Sequence, residues 1–99
     1  MNNIKVFKLI SGEEIIAEVF NQFDQYLELK SPATIVIQQT QQGVGVGLMP
    51  YMAYATGNVQ LYKNAIASEA SPDVKMVNEY NRIFGSGIQI ASAGSIPRV

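Results

Sequence analysis

The sequence predicts a small, mainly β domain, with about five short antiparallel strands followed by one C-terminal helix. Three observations point there. Apolar and polar residues alternate through "IKVFKLI" (4–10) and "YLELK" (26–30), the period of strands that turn one face to a core, and "EEIIAEVFN" (13–21) between them resumes the β pattern. Short turn signals separate the apolar runs: Ser11-Gly12, Gln41-Gln42-Gly43 and Thr56-Gly57-Asn58. Only one segment, 72–84, carries apolar residues at helical spacing. Tight links between successive strands favour a small barrel or sandwich.

In the first strand Ile4 and Val6 alternate with Lys5 and Lys8, so one face is expected to meet the core. The short Ser11-Gly12 link makes strands 4–10 and 13–21 a hairpin. Phe23-Asp24-Gln25 breaks the pattern before a third strand at Tyr26–Lys30. Ser31-Pro32 then bends or interrupts it, as suits an edge or a bulge, and "ATIVIQQT" carries β character on to Thr40. In "QQGVGVGLMPYMAYATGN", Gly43, Gly45 and Gly47 alternate with Val44, Val46 and Leu48. No Lys-Ser/Thr pair or helix follows, so a phosphate loop is disfavoured. The spacing reads instead as a strand with one face bare of side chains, open to the approach of another backbone. "VQLYKNAIASEA" closes the β region.

The helix begins with Ser71 as N-cap, Pro72 at its first position and Asp73 at the positive end of the dipole. Val74, Val77, Tyr80, Ile83 and Phe84 form its apolar stripe, and Gly85 is its expected stop. Such a stripe docks on the protein's own core more often than on a partner. The tail "SGIQIASAGSIPRV" has the composition of a short strand around Ile88–Ile90 or of a trailing end.

Composition narrows the function. Hydrophobic residues make up 47% of the 99 and charged residues 15%, against about 25% charge in ordinary soluble domains. Few charges on so small a domain suggest that part of its surface is hidden by self-association. The net charge of −1, without runs, argues against nucleic-acid binding by bulk electrostatics. With no Cys and no His, thiol nucleophiles, disulfides, Cys/His metal sites and His-based catalysis are all excluded. Glu13, Glu14 and Glu18 form no convincing acid/base constellation, and the Glu13-Glu14 pair reads as a solvated turn. The expectation is a protein that is not an enzyme and uses no cofactor or metal. "MNNIKVFKL" enters alternation directly and no run resembles a signal peptide or membrane span, so a soluble, cytoplasmic protein with no membrane partner is expected. No small-molecule substrate is evident.

Two stretches carry a family resemblance. "VFKLISGEEIIAEVFNQFDQYLELKSPA" resembles the first signature of the Sm-like (LSm/Hfq-like) family: an alternating strand, a turn with Gly12, an apolar strand, then Phe23-Asp24 before a third strand. Leu27 falls where Met is usual, and one extra residue between Gly12 and Phe23 would be taken up by a bulge. "LYKNAIAS" is similar to the second signature in its bacterial form, matching at Tyr62, Lys63, Ala65 and Ile66, with Asn64 in place of His. The resemblance covers residues 4–40 and 58–69, leaving the Gly-rich middle unmatched. The chain is also similar to small Sm-like proteins of bacteriophages that infect marine cyanobacteria. The resemblance implies one domain over 1–99: a strongly bent, five-stranded, SH3-like open barrel at 4–70, the helix at 72–84 and a tail at 86–99. That helix would take the place of the family's N-terminal helix, for which the three residues before the first strand leave no room.

Family members form homo-oligomeric rings, here about five to seven subunits, by strand pairing between neighbours. They bind single-stranded RNA around the pore. Carried over by position, Tyr26 is the stacking group, Tyr62 and Lys63 come from the second signature, and Asn64 offers an amide to a base edge. Asp24 orients the loop. Glu28 stands where the family has a base-binding Asn and is expected to face Lys63 and Asn64, weakening uracil-type recognition. Each residue also has a plain structural reading. Lys63-Asn64 reads equally as a turn, Asn tolerating the left-handed conformation, and Tyr26 as a core or interface residue. Two functions follow: a ring that binds RNA, or a ring-forming scaffold that has lost RNA binding and works through protein contacts.

Overall fold

The computed structural model describes residues 3–84. The helix stop expected at Gly85 and the strand expected near Ile88–Ile90 lie outside those residues. The chain is mainly β, with six strands and one helix: β1 Ile4–Leu9, β2 Glu14–Gln22, β3 Tyr26–Thr40, β4 Gly43–Pro50, β5 Val59–Tyr62, β6 Ile66–Ala70 and α1 Val74–Phe84. All pairings are antiparallel. The sheet runs β4-β3-β2-β1-β6, with β5 also on β3. β4 and β5 lie end to end on one side of β3, Ala33 opposite Pro50 and Leu29 opposite Val59. Six strands therefore fill five lanes, and the excursion at 51–58 between β4 and β5 accounts for the difference from the expected count. A 3₁₀ turn of three residues, Lys63–Ala65, joins β5 on the β3 side to β6 on the β1 side. So short a link spans only about 10 Å, so the sheet curls until its opposite lanes approach, giving an open, barrel-like form. No helix among the described residues is long and apolar enough to cross a membrane.

β1 buries both of its faces, not one. Phe7 and Leu9 face the inside of the curl with Ile15, Ala17, Leu27, Leu29 and Leu61. Ile4 and Val6 lie on the outer face with Ile16 and Ala33, under the helix. Two-sided burial explains why Ile15, Ile16 and Ala17 are consecutive and all fully buried.

A bulge in β3 makes the two cores compatible. Between the pairs Glu18–Lys30 and Ile16–Ala33, β2 advances two residues while β3 advances three. The extra residue sits at Ser31-Pro32, and Ser31 takes φ 51°, the one non-glycine residue with positive φ among those described. One inserted residue reverses the facing of all that follows. Leu27 and Leu29 thus point into the inner core, whereas Ala33 and Ile35 join the outer one. Pro32 is buried in a central strand because its missing N–H falls at this break in the ladder. Tyr51, the first residue of the excursion, donates its N–H to the Pro32 carbonyl at 2.8 Å and packs on the inner core. β2 has its own bulge at Phe20, between the pairs Val19–Leu29 and Asn21–Glu28.

The helix starts two residues later than its sequence signals suggest. Asp73, not Ser71, caps it: its Oδ1 accepts the N–H of Met76 at 2.8 Å. Met76, Val77, Tyr80 and Phe84 dock on the outer face of β1, β2 and β3, while Val74 and Ile83 are exposed. Tyr80 is the center of this contact. Its hydroxyl lies 2.8 Å from both the Lys30 and Ser31 carbonyls, at the bulge. Burial pushes the Tyr80 phenol up to about 12.

The β3–β4 hairpin extends beyond the helix. Gly43, at φ 118°, closes its turn, and the Thr40 hydroxyl donates to the Gly43 carbonyl at 2.8 Å. Ile37, Val44 and Val46 are exposed on it. The strip facing Gly45 and Gly47 is only partly bare, because the Gln38 carboxamide lies over Gly47, 3.1 Å from where a Cβ would stand. A side chain from the neighbouring strand, rather than another backbone, uses that space.

Two outcomes are expected from this geometry. Tyr80→Phe keeps the ring but removes the donor to the bulge carbonyls, and urea denaturation should show a loss of roughly 1–2 kcal/mol at neutral pH. Because the fold favours protonated Tyr80, its pH-linked contribution, on the order of 2–3 kcal/mol, is complete below pH 10 and lost as pH rises through about 12. Tyr80→Phe should flatten stability across that window. Ser31→Val puts a β-branched residue at positive φ and should destabilise by about 1–2 kcal/mol, whereas Ser31→Asn should stay near wild type in the same denaturation series.

Candidate functional site

The two signature stretches meet in space. The first half of β3 pairs with β5 in the register Tyr26–Tyr62, Leu27–Leu61, Glu28–Gln60 and Leu29–Val59. Leu27, Leu29 and Leu61 face inward and are buried. The alternate residues Tyr26, Glu28, Gln60 and Tyr62 therefore share the opposite, outward face. Tyr26 and Tyr62 are direct cross-strand neighbours, their ring centroids 5.3 Å apart at 47°. Phe23 extends the row, 4.9 Å from Tyr26 at 38°. Tyr26 is half-buried between rings that are 44% and 48% exposed, so the three form a ledge with solvent-facing edges. Tilted contacts of this kind suit the aromatic quadrupole.

Local backbone bonds hold the ledge. The Phe23 N–H donates to the Tyr26 carbonyl at 2.9 Å and closes the β2–β3 turn, with Asp24 exposed at its tip. The Lys63 N–H donates to the Gln25 carbonyl at 2.9 Å, fastening the 3₁₀ turn to the same loop. Lys63 and Asn64 are both exposed. Their turn is right-handed, so the left-handed conformation that Asn tolerates is not used here.

Glu28 does not face Lys63. It lies across from Gln60 on one side and Asn21 on the other, and the Asn21 Nδ2 donates to its Oε1 at 3.0 Å. Lys63 lies one residue beyond Tyr62 and forms no ion pair with Glu28. The face thus carries an aromatic ledge at one end and a carboxylate with its amide partner beside it, with the amide of Gln60 across the strand.

Phe23, Asn21 and Gln60 join the predicted residues. Phe23 had a sequence signal in the Phe-Asp pair, but its spacing from Tyr26 reads as loop until the turn is seen to fold back. Asn21 reaches Glu28 only because the bulge at Phe20 resets its facing, and Gln60 follows only from the β3–β5 register.

On the other side of the sheet, Lys63 also lines an open cleft of about 580 Å³ at the mouth of the curl, with Lys5, Phe20 and Gln22. Compared with known proteins, the chain matches no protein-family model and no curated protein.

The Tyr26–Tyr62 contact is measurable. A double-mutant cycle with Tyr26→Ala and Tyr62→Ala, followed by chemical denaturation, should give a coupling of about 0.5–1 kcal/mol.

Proposed function

We propose that this chain is a divergent Sm-like domain that assembles into a homo-oligomeric ring and binds single-stranded RNA on the face carrying Tyr26, Tyr62 and Lys63. The observation that carries the reading is the β3–β5 register: two stretches 36 residues apart, counted from Tyr26 to Tyr62, come into direct contact. Their rings form one row, with a cation at its end. The five-lane curled sheet closed by a 3₁₀ turn is of the kind that an SH3-like barrel requires. Free edges on β4 and β6, together with exposed Ile37, Val44 and Val46, supply what strand pairing between subunits needs.

Stacking accounts for the affinity. A base on an aromatic side chain contributes about 1–3 kcal/mol, and Phe23 and Tyr62 have free ring surface to offer. Lys63 supplies a phosphate contact. Asn64 is exposed beside it as a donor and acceptor for a base edge. Glu28 accepts but cannot donate when ionised, so it selects against groups that present only acceptors, while its bond from Asn21 offsets part of its repulsion of phosphate.

The second reading is a ring-forming scaffold that works through protein contacts. One observation favours it: the carboxylate of Glu28 lies on the same face as the ledge and opposes the single charge that Lys63 brings to its end.

Short U-rich and A-rich oligonucleotides should bind the wild type at low salt, and Tyr62→Ala or Lys63→Ala should weaken binding about tenfold without changing the native mass. No binding by the wild type at low salt leaves the scaffold. A stable monomer at micromolar concentration in native mass measurement rejects the ring.

A further inference from the structure

The cleft on the inner side of the sheet shares Lys63 with the aromatic ledge but is otherwise lined by different residues, among them Lys5, Phe20 and Gln22, and it goes beyond the RNA reading. It lies at the open mouth of the curl, between the start of β1, the end of β2 and the β5–β6 turn. Its volume of about 580 Å³ falls within the roughly 300–1,000 Å³ of small-molecule sites. The buried inner-core residues Phe7 and Leu27 lie beneath it, and the apolar group it offers to a ligand is the exposed Phe20 ring on its rim.

Three features of the rim point to one ligand chemistry. Lys5 reaches it from β1 and Lys63 from the 3₁₀ turn, and among the described residues neither forms an ion pair. Phe20, 56% exposed, is the extra residue of the β2 bulge, which re-aims an aromatic ring that a regular strand would direct elsewhere. Gln22 supplies a carboxamide that both donates and accepts, and Glu69 adds one carboxylate. Two cations suit one phosphate, the carboxylate opposes a longer polyphosphate chain and can accept from a sugar hydroxyl, and the ring and amide suit a planar heterocycle.

We infer that this cleft binds a planar heterocycle carrying a single phosphate, with the phosphate on Lys5 and Lys63 and the ring against Phe20. The shared chemistry has two sources: a free nucleoside monophosphate, or the 5′-phosphorylated end of a single strand.

The test is titration of the full-length ¹⁵N-labelled protein with AMP, UMP, adenosine and inorganic phosphate, following the amides of Lys5, Phe20 and Lys63. AMP or UMP should give saturable shifts at concentrations about tenfold below those needed for adenosine or phosphate alone. Lys5→Ala and Phe20→Ala should each weaken this about fivefold, while Tyr62→Ala, whose ring belongs to the ledge, should leave it within about twofold. In a second arm, 5′-phosphorylated and 5′-hydroxyl oligonucleotides are compared. A preference for the phosphorylated end assigns the strand terminus, and AMP binding without such a preference assigns the free nucleotide. The inference is overturned if no monophosphate saturates by about 10 mM, if phosphate alone matches AMP, or if Lys5→Ala and Phe20→Ala bind as the wild type does. Loss of oligonucleotide binding in Tyr62→Ala with AMP binding retained separates the cleft from the ledge.

Discussion

A single inserted residue in the longest strand organises this protein. At Ser31 the β3 backbone turns into the left-handed region, and the facing of every later residue is reversed. Without it, Leu29 and Ala33 would share a face, and one strand could not serve both the interior of the curl and the seat of the helix. At the break the Tyr80 hydroxyl meets two backbone carbonyls, those of Lys30 and Ser31. The same phenol is thus the deepest residue of the helix and the group that satisfies the bulge, coupling the helix to the strand's change of direction.

The candidate site depends on that change. β3 offers one edge to two successive partners, β4 along its second half and β5 along its first. The excursion between them begins with Tyr51, bonded to Pro32 beside the bulge, so β5 resumes pairing where the facing has switched. Leu61 then falls inward against Leu27, and Tyr62 outward against Tyr26. The aromatic row and the buried residues beneath the cleft are the two faces of one ladder. Lys63, just past its end, borders both.

Much of this architecture was legible in the residues. Strand alternation located β1 to β3 within a residue or so, the Ser31-Pro32 signal marked the bulge, and the stripe at Val77, Tyr80 and Phe84 marked the docked helix face. The second buried face of β1 was not, because Lys5 and Lys8 disguise a strand that is apolar on both sides at its center. The helix cap was misassigned because Ser71, Pro72 and Asp73 are all good N-terminal residues, and only the hydrogen bond to Met76 separates them. At the site, the aromatic residues could be named one by one. Their contact could not, because it depends on a register between distant strands, and neither could the cleft, whose walls come from β1, β2 and the β5–β6 turn, far apart in the sequence.

The turn at Lys63–Ala65 also has a consequence for synthesis. β1 is made before the other described strands, yet one of its two edges has no partner until β6 is made, some sixty residues later, since Val6 pairs with Ala70 and Phe7 with Glu69. Leu61 and Ile66, which complete the inner core, arrive on either side of the same turn. The nascent chain can form the β1–β2–β3–β4 meander early, but its interior stays open to solvent until this late segment docks and brings the opposite lanes together. Curling of the sheet therefore waits for β6, and the helix, last of the described elements to emerge, covers a surface whose curvature has just been set.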